Sequence, residues 1–164
     1  IKRLAHQILE TYPGLTNAVI VGLQPRGIYL SDRIVAALHQ ELPADQVVYG
    51  KLDITFYRDD FRRGDKTLEA TKTNIDFLVE DKNVVLIDDV LYTGRSVRSA
   101  IDALMPFGRP KSIELLVLID RRLSRHLPIQ PDYVGKVIDS IDSEKVIVSI
   151  NEEDKNDNII ILKS

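Results

Sequence analysis

The sequence predicts an α/β fold, a mainly parallel sheet flanked by helices with a small C-terminal hood and hairpin, and three observations predict it. Short, continuously apolar runs alternate with helical stripes, one such run ends on two adjacent carboxylates, and a polar turn leads from those carboxylates into a helix. Apolar runs without polar alternation belong to strands covered on both faces, as in a parallel sheet between two helix layers.

Each element follows from local pattern. Leu4, Ala5, Ile8 and Leu9 recur at helical spacing, and Pro13 with Gly14 punctuates the chain before the apolar run 18–21. Leu30, Ile34, Val35, Leu38 and Leu42 form a second helical stripe that Pro43 ends, and the β-formers of 46–57 read as extended. Segment 62–74, RRGDKTLEATKTN, is too polar to be held against a core and is expected to be a mobile loop. Residues 84–87 are a buried strand, Val97, Ala100, Ile101 and Leu104 mark one face of a helix, and 113–119 is another strand. Two apolar runs, 146–150 and 159–162, flank the polar 151–158, the pattern of a hairpin. No repeat or linker divides the 164 residues, so a single domain, 1–164, is expected.

Composition excludes several classes of function. A net charge of −3 argues against a chain that binds polyanions over its whole surface, so any nucleic-acid site must be a local patch. Without cysteine there is no disulfide framework, thiolate zinc site or cysteine nucleophile, and His6, His39 and His126 are far apart in sequence. No apolar run approaches the roughly 18 residues of a membrane span and nothing at the start reads as a signal peptide, so a soluble cytoplasmic protein is expected. The first helical stripe begins at Ile1 itself, from which residues missing ahead of it are expected.

The chemistry concentrates in 84–96, VVLIDDVLYTGRS. Open α/β sheets bind ligands at strand ends. In Thr93-Gly94-Arg95-Ser96 the glycine lets backbone approach a ligand, and successive N–H groups opening a helix form a nest for an anion. The hydroxyls of Thr93 and Ser96 and the Arg95 guanidinium add donors. Asp88 and Asp89 would repel a phosphate but accept hydrogen bonds from sugar hydroxyls beside it. An acidic pair after an apolar strand also occurs in receiver domains, but there it lies on the first strand, whereas here more than eighty residues precede it. Taken alone, Gly94 fits an ordinary turn, Ser96 a helix cap and Arg58 a solvated surface position.

The apolar run, the acidic pair, the spacer Val90-Leu91-Tyr92 and Thr93-Gly94 resemble the motif by which type I phosphoribosyltransferases bind 5-phosphoribosyl-1-pyrophosphate (PRPP). The resemblance extends over nearly the whole chain to the pyrimidine-operon regulators of that family that also carry uracil phosphoribosyltransferase activity. It rests on Val21-Gly22 with Arg26-Gly27-Ile28-Tyr29-Leu30, on Asp53-Ile54-Thr55 with Tyr57-Arg58-Asp59-Asp60, on the motif itself, and on Asp132-Tyr133-Val134-Gly135-Lys136.

The resemblance implies a type I phosphoribosyltransferase fold and conversion of uracil and PRPP to UMP and pyrophosphate. It places Asp88 and Asp89 on the ribose 2′ and 3′ hydroxyls and Thr93, Gly94, Arg95 and Ser96 around the 5′-phosphate. It gives the turn at Gln24, Pro25, Arg26 and Gly27 to pyrophosphate, with Arg58 as a catalytic arginine at the root of a closing loop. Asp120 and Arg121 fall near the Mg-pyrophosphate, and Tyr133, Val134 and Gly135 near the base. Mg²⁺ arrives on PRPP, with no direct protein ligand. A homodimer or larger homo-oligomer is implied, together with pyrimidine-operon leader RNA as a partner, bound by His6, Arg125 and Lys136 with Lys2, Arg3, Arg121 and Arg122 nearby. Two departures stand out. Pro25 replaces the threonine usual before Arg-Gly, removing a backbone donor, and Gln130 stands where RNA-binding relatives carry a basic residue. A regulator with vestigial catalysis, or a transferase acting on another base, remains an alternative reading.

Overall fold

The computed structural model describes residues 1–57, 72–141, 143–150 and 158–162, and within 158–162 not the side chain of Ile161. Five strands form one parallel sheet: β1 (Ala18–Gln24), β2 (Tyr49–Asp53), β3 (Asn83–Leu91), β4 (Ser112–Arg121) and β5 (Tyr133–Ile138), in the order β2-β1-β3-β4-β5. Helices α1 (Lys2–Thr11) and α2 (Gly27–Leu38) cover one face, and α3 (Arg95–Leu104) covers the other. A separate antiparallel ribbon of β6 (Lys145–Ser149) and β7 (Asn158–Leu162) forms the expected hairpin.

Strand periodicity decides what each face buries. Ile20, Val85, Ile87 and Leu116 point into the layer of α1 and α2, packed on Leu4, Ile8, Leu30 and Ile34. Their alternates Val19, Val21, Val84, Leu86, Leu115 and Val117 meet Val97, Ala100 and Leu104 of α3. Each fully buried leucine or isoleucine contributes about 1.5–3 kcal/mol, so the turns leaving β1 and β3 project from a rigid frame. Among the described residues no helix is long and apolar enough to cross a membrane.

Several boundaries differ from the expectation. The stripe that ran to Leu42 stops being helix at Leu38, where the chain turns while Leu42 still donates to the Leu38 carbonyl at 2.9 Å. Of the extended stretch 46–57 only β2 is strand, between 3₁₀ turns at Ala44–Gln46 and Thr55–Tyr57. Both β3 and β4 run further than their apolar runs and carry the acidic pair and Asp120-Arg121 inside the sheet, because a ladder between two neighbours holds polar residues that would not start a strand alone. The end of the polar segment 62–74 is pinned: Lys51 and Asn74 exchange backbone hydrogen bonds at 2.9 and 2.8 Å, and the Asp53 amide donates to Thr73 Oγ1 at 3.1 Å. Residues 62–71 of that loop lie outside the described residues, as does Arg58. Finally, Tyr133 to Lys136, the residues around which the small hood is expected, belong to edge strand β5.

Candidate active site

The strand order places a topological switch between β1 and β3, since the chain leaves β1 toward β2 on one side and builds β3, β4 and β5 on the other. At such a point the turns at the carboxyl ends diverge and leave a crevice. Two turns flank it: Gln24 to Gly27 after β1, and Tyr92 to Ser96 after β3.

The first turn is set by close approach. Gly27 opens α2 so near β3 that a Cβ there would stand 2.5 Å from the Ile87 carbonyl oxygen and 3.0 Å from Asp88 Cα. Only glycine permits that spacing. The Gln24–Pro25 peptide is cis, and the buried Gln24 side chain donates to the Lys72 carbonyl at 3.2 Å, tying the turn to the returning chain.

The second turn is braced from outside. Gly94 takes the left-handed conformation (φ 91°) that a side chain resists, and caps α3. The Thr93 carbonyl accepts from the amides of His126 and Leu127 at 3.0 and 3.1 Å, and Arg125 donates to the Tyr92 carbonyl while pairing with Asp120. Ile129 and Leu127 pack on Gly94. With its carbonyls engaged by 125–127, the turn offers a helix N-terminus to an anion, with Thr93 Oγ1 accepting from the Arg95 amide at 3.4 Å.

Between the turns stand Asp88, half-buried, and Asp89, buried. The Asp89 amide donates to Asp88 Oδ1 at 2.9 Å and the Val90 amide to Asp89 Oδ1 at 2.8 Å. Burial pushes both carboxyls above the ordinary range, Asp88 well above it, where the neighbouring Asp89 charge adds to the effect; Arg26 pulls both back. Hydroxyl donors or developing positive charge are what such a pair favours. A recess beside it is lined by Arg26, Tyr29, Asp89, Ile147, Val148, Ser149 and Ile150. Among the described residues no group of three or more His, Cys, Asp or Glu could hold a metal ion, so the pair offers two carboxylates and no complete cage.

Several expected site residues lie elsewhere. Tyr133 pairs with Leu116, five residues (about 16 Å of strand) before the carboxyl edge reached at Ile138, which pairs with Arg121. Its ring is in the core and its hydroxyl donates to Glu114 at 2.6 Å, so it does not meet a base. The carbonyls of Val134 and Gly135 accept from Arg3, at 3.0 and 2.8 Å, on the outer edge. Arg121 is buried and its donors are engaged by Ser140 Oγ, Ile141 O and Glu144 O. Asp120 is paired with Arg125, whose guanidinium also donates to the Tyr92 carbonyl and so braces the site's frame. Arg122 pairs bidentately with Asp139. Sequence reasoning missed Tyr29 and 147–150 as lining. A signal was available: the consecutive Val146, Ile147 and Val148 of β6 put an apolar side chain on each face of the ribbon, and a ribbon packed on one face leaves the other to line something.

A phosphoribosyl transferase domain family model matches residues 1–155. The chain is 48% identical over 159 residues to the "Bifunctional protein PyrR" of Limosilactobacillus fermentum, covering 96% of this chain and 88% of that one. It is 44% identical over 164 residues to the protein of the same name from Bacillus subtilis, covering 99% and 90%. Among solved structures, a hypoxanthine phosphoribosyltransferase from Staphylococcus aureus superposes with a TM-score of 0.62 at 24% identity over 85% of this chain and 72% of that one, a likeness of fold. Fold, switch-point site and relatives agree that the chain belongs to the phosphoribosyltransferase family and, within it, to the PyrR proteins.

Proposed function

We propose that the chain transfers the phosphoribosyl group of PRPP to uracil, giving UMP and pyrophosphate. The observation that carries this reading is the meeting, at one sheet edge, of a carboxylate pair, one half-buried and one buried, a glycine-capped anion turn and a part-apolar recess. Asp88 and Asp89 accept the ribose hydroxyls; the backbone and hydroxyls of Thr93, Gly94, Arg95 and Ser96 take the 5′-phosphate, with Val90, Leu91 and Tyr92 spanning the distance between. The turn at Gln24, Pro25, Arg26 and Gly27 takes pyrophosphate together with Arg58, and 147–150 with Tyr29 faces the base. Mg²⁺ would come with PRPP, without a direct protein ligand, and would supply positive charge to the leaving pyrophosphate. As the C1–oxygen bond to pyrophosphate breaks and a ring nitrogen of uracil bonds to C1, its proton passing to the departing pyrophosphate or to solvent, positive character on the ribose is met by the ionised pair and negative charge by Arg26 and the turn. No covalent nucleophile is required.

The test is nucleotide formation from PRPP and Mg²⁺ with uracil, hypoxanthine or orotate offered separately. UMP as the dominant product supports the reading. A different nucleotide reassigns the base, and no product from any base leaves only a ligand-sensing regulator.

A second reading, coexisting with the first, is binding of pyrimidine-operon leader RNA. Lys2, Arg3 and His6 on α1 and Lys136 on β5 are exposed, and Arg3 joins the two elements through the Val134 and Gly135 carbonyls, which puts this basic set on one side of the molecule. Arg125 and Arg122 drop out of it, being paired with Asp120 and Asp139.

A further inference from the structure

Arg121 is 5% exposed, yet it touches two parts of the site that are distant in sequence. Its guanidinium carbon lies 4.0 Å from the centroid of the Tyr92 ring, at the start of the anion turn. Nε donates to Ser140 Oγ at 2.7 Å, and Nη2 donates to the Ile141 and Glu144 carbonyls at 3.0 and 2.9 Å. Ser140, itself buried, also accepts at its carbonyl from Ser124 Oγ at 3.2 Å. These acceptors form the turn that launches β6, in which the Glu144 amide returns to the Ile141 carbonyl at 3.0 Å.

Among the described residues β6 pairs only with β7, in a sheet separate from the five-stranded one, and a two-stranded ribbon has little rigidity of its own. The position of Ile147 and Val148 in the recess therefore depends on what fixes the chain just before them. From these contacts we infer that Arg121 is a positioning residue: it clamps Ser140, Ile141 and Glu144, just before β6, to the face of Tyr92 and so sets the wall on the base side of the recess against the phosphate turn. The inference rests on the proposed transferase reading. A guanidinium suits the task because one planar group can stack on a ring and present forked donors at its edge, whereas a lysine offers a single point of charge.

The experiment compares the parental chain with Arg121→Lys, Arg121→Ala and the milder Ser140→Ala, which removes one acceptor and leaves the charge. For each, the KM for uracil and for PRPP, the affinity for UMP and for ribose 5-phosphate, and the melting temperature are measured. In both Arg121 variants the uracil KM should rise and UMP affinity fall about tenfold, the size of one lost hydrogen bond to a charged group. Ribose 5-phosphate affinity and the PRPP KM should stay within about threefold, and Ser140→Ala should show the same split at smaller amplitude. Equal loss for UMP and ribose 5-phosphate, full rescue by lysine, or unchanged uracil KM in all three variants would overturn the inference. A selective loss for PRPP would instead return Arg121 to the pyrophosphate. A parental chain that makes no UMP overturns the transferase reading itself.

Discussion

The two turns at the switch point do comparable work and are held in opposite ways. The turn after β1 is fixed by what is missing, a side chain at position 27, which lets α2 press on the Ile87 carbonyl and Asp88. The turn after β3 is fixed by what is added: Arg125, the amides of His126 and Leu127, and the side chain of Ile129, all from a segment more than thirty residues later. A local steric rule and a tertiary brace thus converge on one carboxylate pair.

The largest effect should come from removing what both turns serve. Asp88→Asn with Asp89→Asn should lower UMP formation by about 10³-fold, the scale of lost preorganised charge stabilisation, while the fold survives. Burial raises both folded-state carboxyl pKa values, so the folded chain holds more protons than the unfolded one from the ordinary carboxylate range up to the raised values. Parental stability must therefore fall as pH rises through that window. The double variant lacks this slope and should be at least as stable as the parent at neutral pH, checked by denaturant unfolding at several pH values. Parental activity should fall on acidification before ordinary carboxyls protonate. A double variant that matches parental turnover would remove the pair from the reaction.

Next in size is the steric turn. Gly27→Val must push α2 away from β3, since the clash is with backbone, and overpacking of this kind costs about 1–3 kcal/mol. Displacement of the turn by an ångström should lower kcat/KM by about 10²-fold, read by turnover beside thermal unfolding. Near-parental turnover would show that close approach does not set this turn.

The brace should yield less. Arg125→Ala leaves the Asp120 carboxylate and the Tyr92 carbonyl without their donor in a largely buried place, a loss of about 1.5–3 kcal/mol. Because 126–129 still hold Thr93 and Gly94, the PRPP KM should rise only about tenfold. The resemblance alone pointed the other way, to an arginine expendable for catalysis. A variant with unchanged PRPP KM and reduced RNA affinity would restore that assignment.

This difference between the turns also marks what the sequence made legible. The stretch from Asp88 to Ser96 could be read because carboxylates, glycine and helix start are contiguous, and contiguity fixes their geometry. The alternation of helices with β1, β3 and β4 was legible because each buries an apolar run. What failed was long-range. Arg121 and Arg125 look alike as basic residues after a strand, yet one reaches Ser140 and the other Asp120 and Tyr92, and local pattern does not encode such partners. Tyr133 was misplaced for a related reason: the sequence around it is not read as a strand, and only its pairing with β4, in register with Leu116, shows that it lies at the far end from the site. Ile147 and Val148 were legible as strand but not as lining, because the hairpin's place over β3 depends on the turn before it.

The smallest effect is expected farthest from both turns, and it tests whether the basic set on α1 and β5 is an RNA surface. Lys136 is exposed, beside the Gly135 carbonyl that holds Arg3, and no residue of either turn contacts it among the described interactions. Phosphate contacts release counterions, so parental affinity for pyrimidine-operon leader RNA should fall steeply with salt and exceed that for a scrambled RNA of equal length. Lys136→Ala should flatten the log–log salt slope by about one while uracil turnover stays parental. His6→Ala should also weaken binding, since an imidazole N–H on the same surface can donate a hydrogen bond to RNA. Equal affinities for leader and scrambled RNA would leave the surface non-specific, and an unchanged salt slope in Lys136→Ala would move the contact off β5. Combined with Arg125→Ala, the two single variants then separate the faces: a brace that governs PRPP on one side of β4, and a surface that governs RNA on the other.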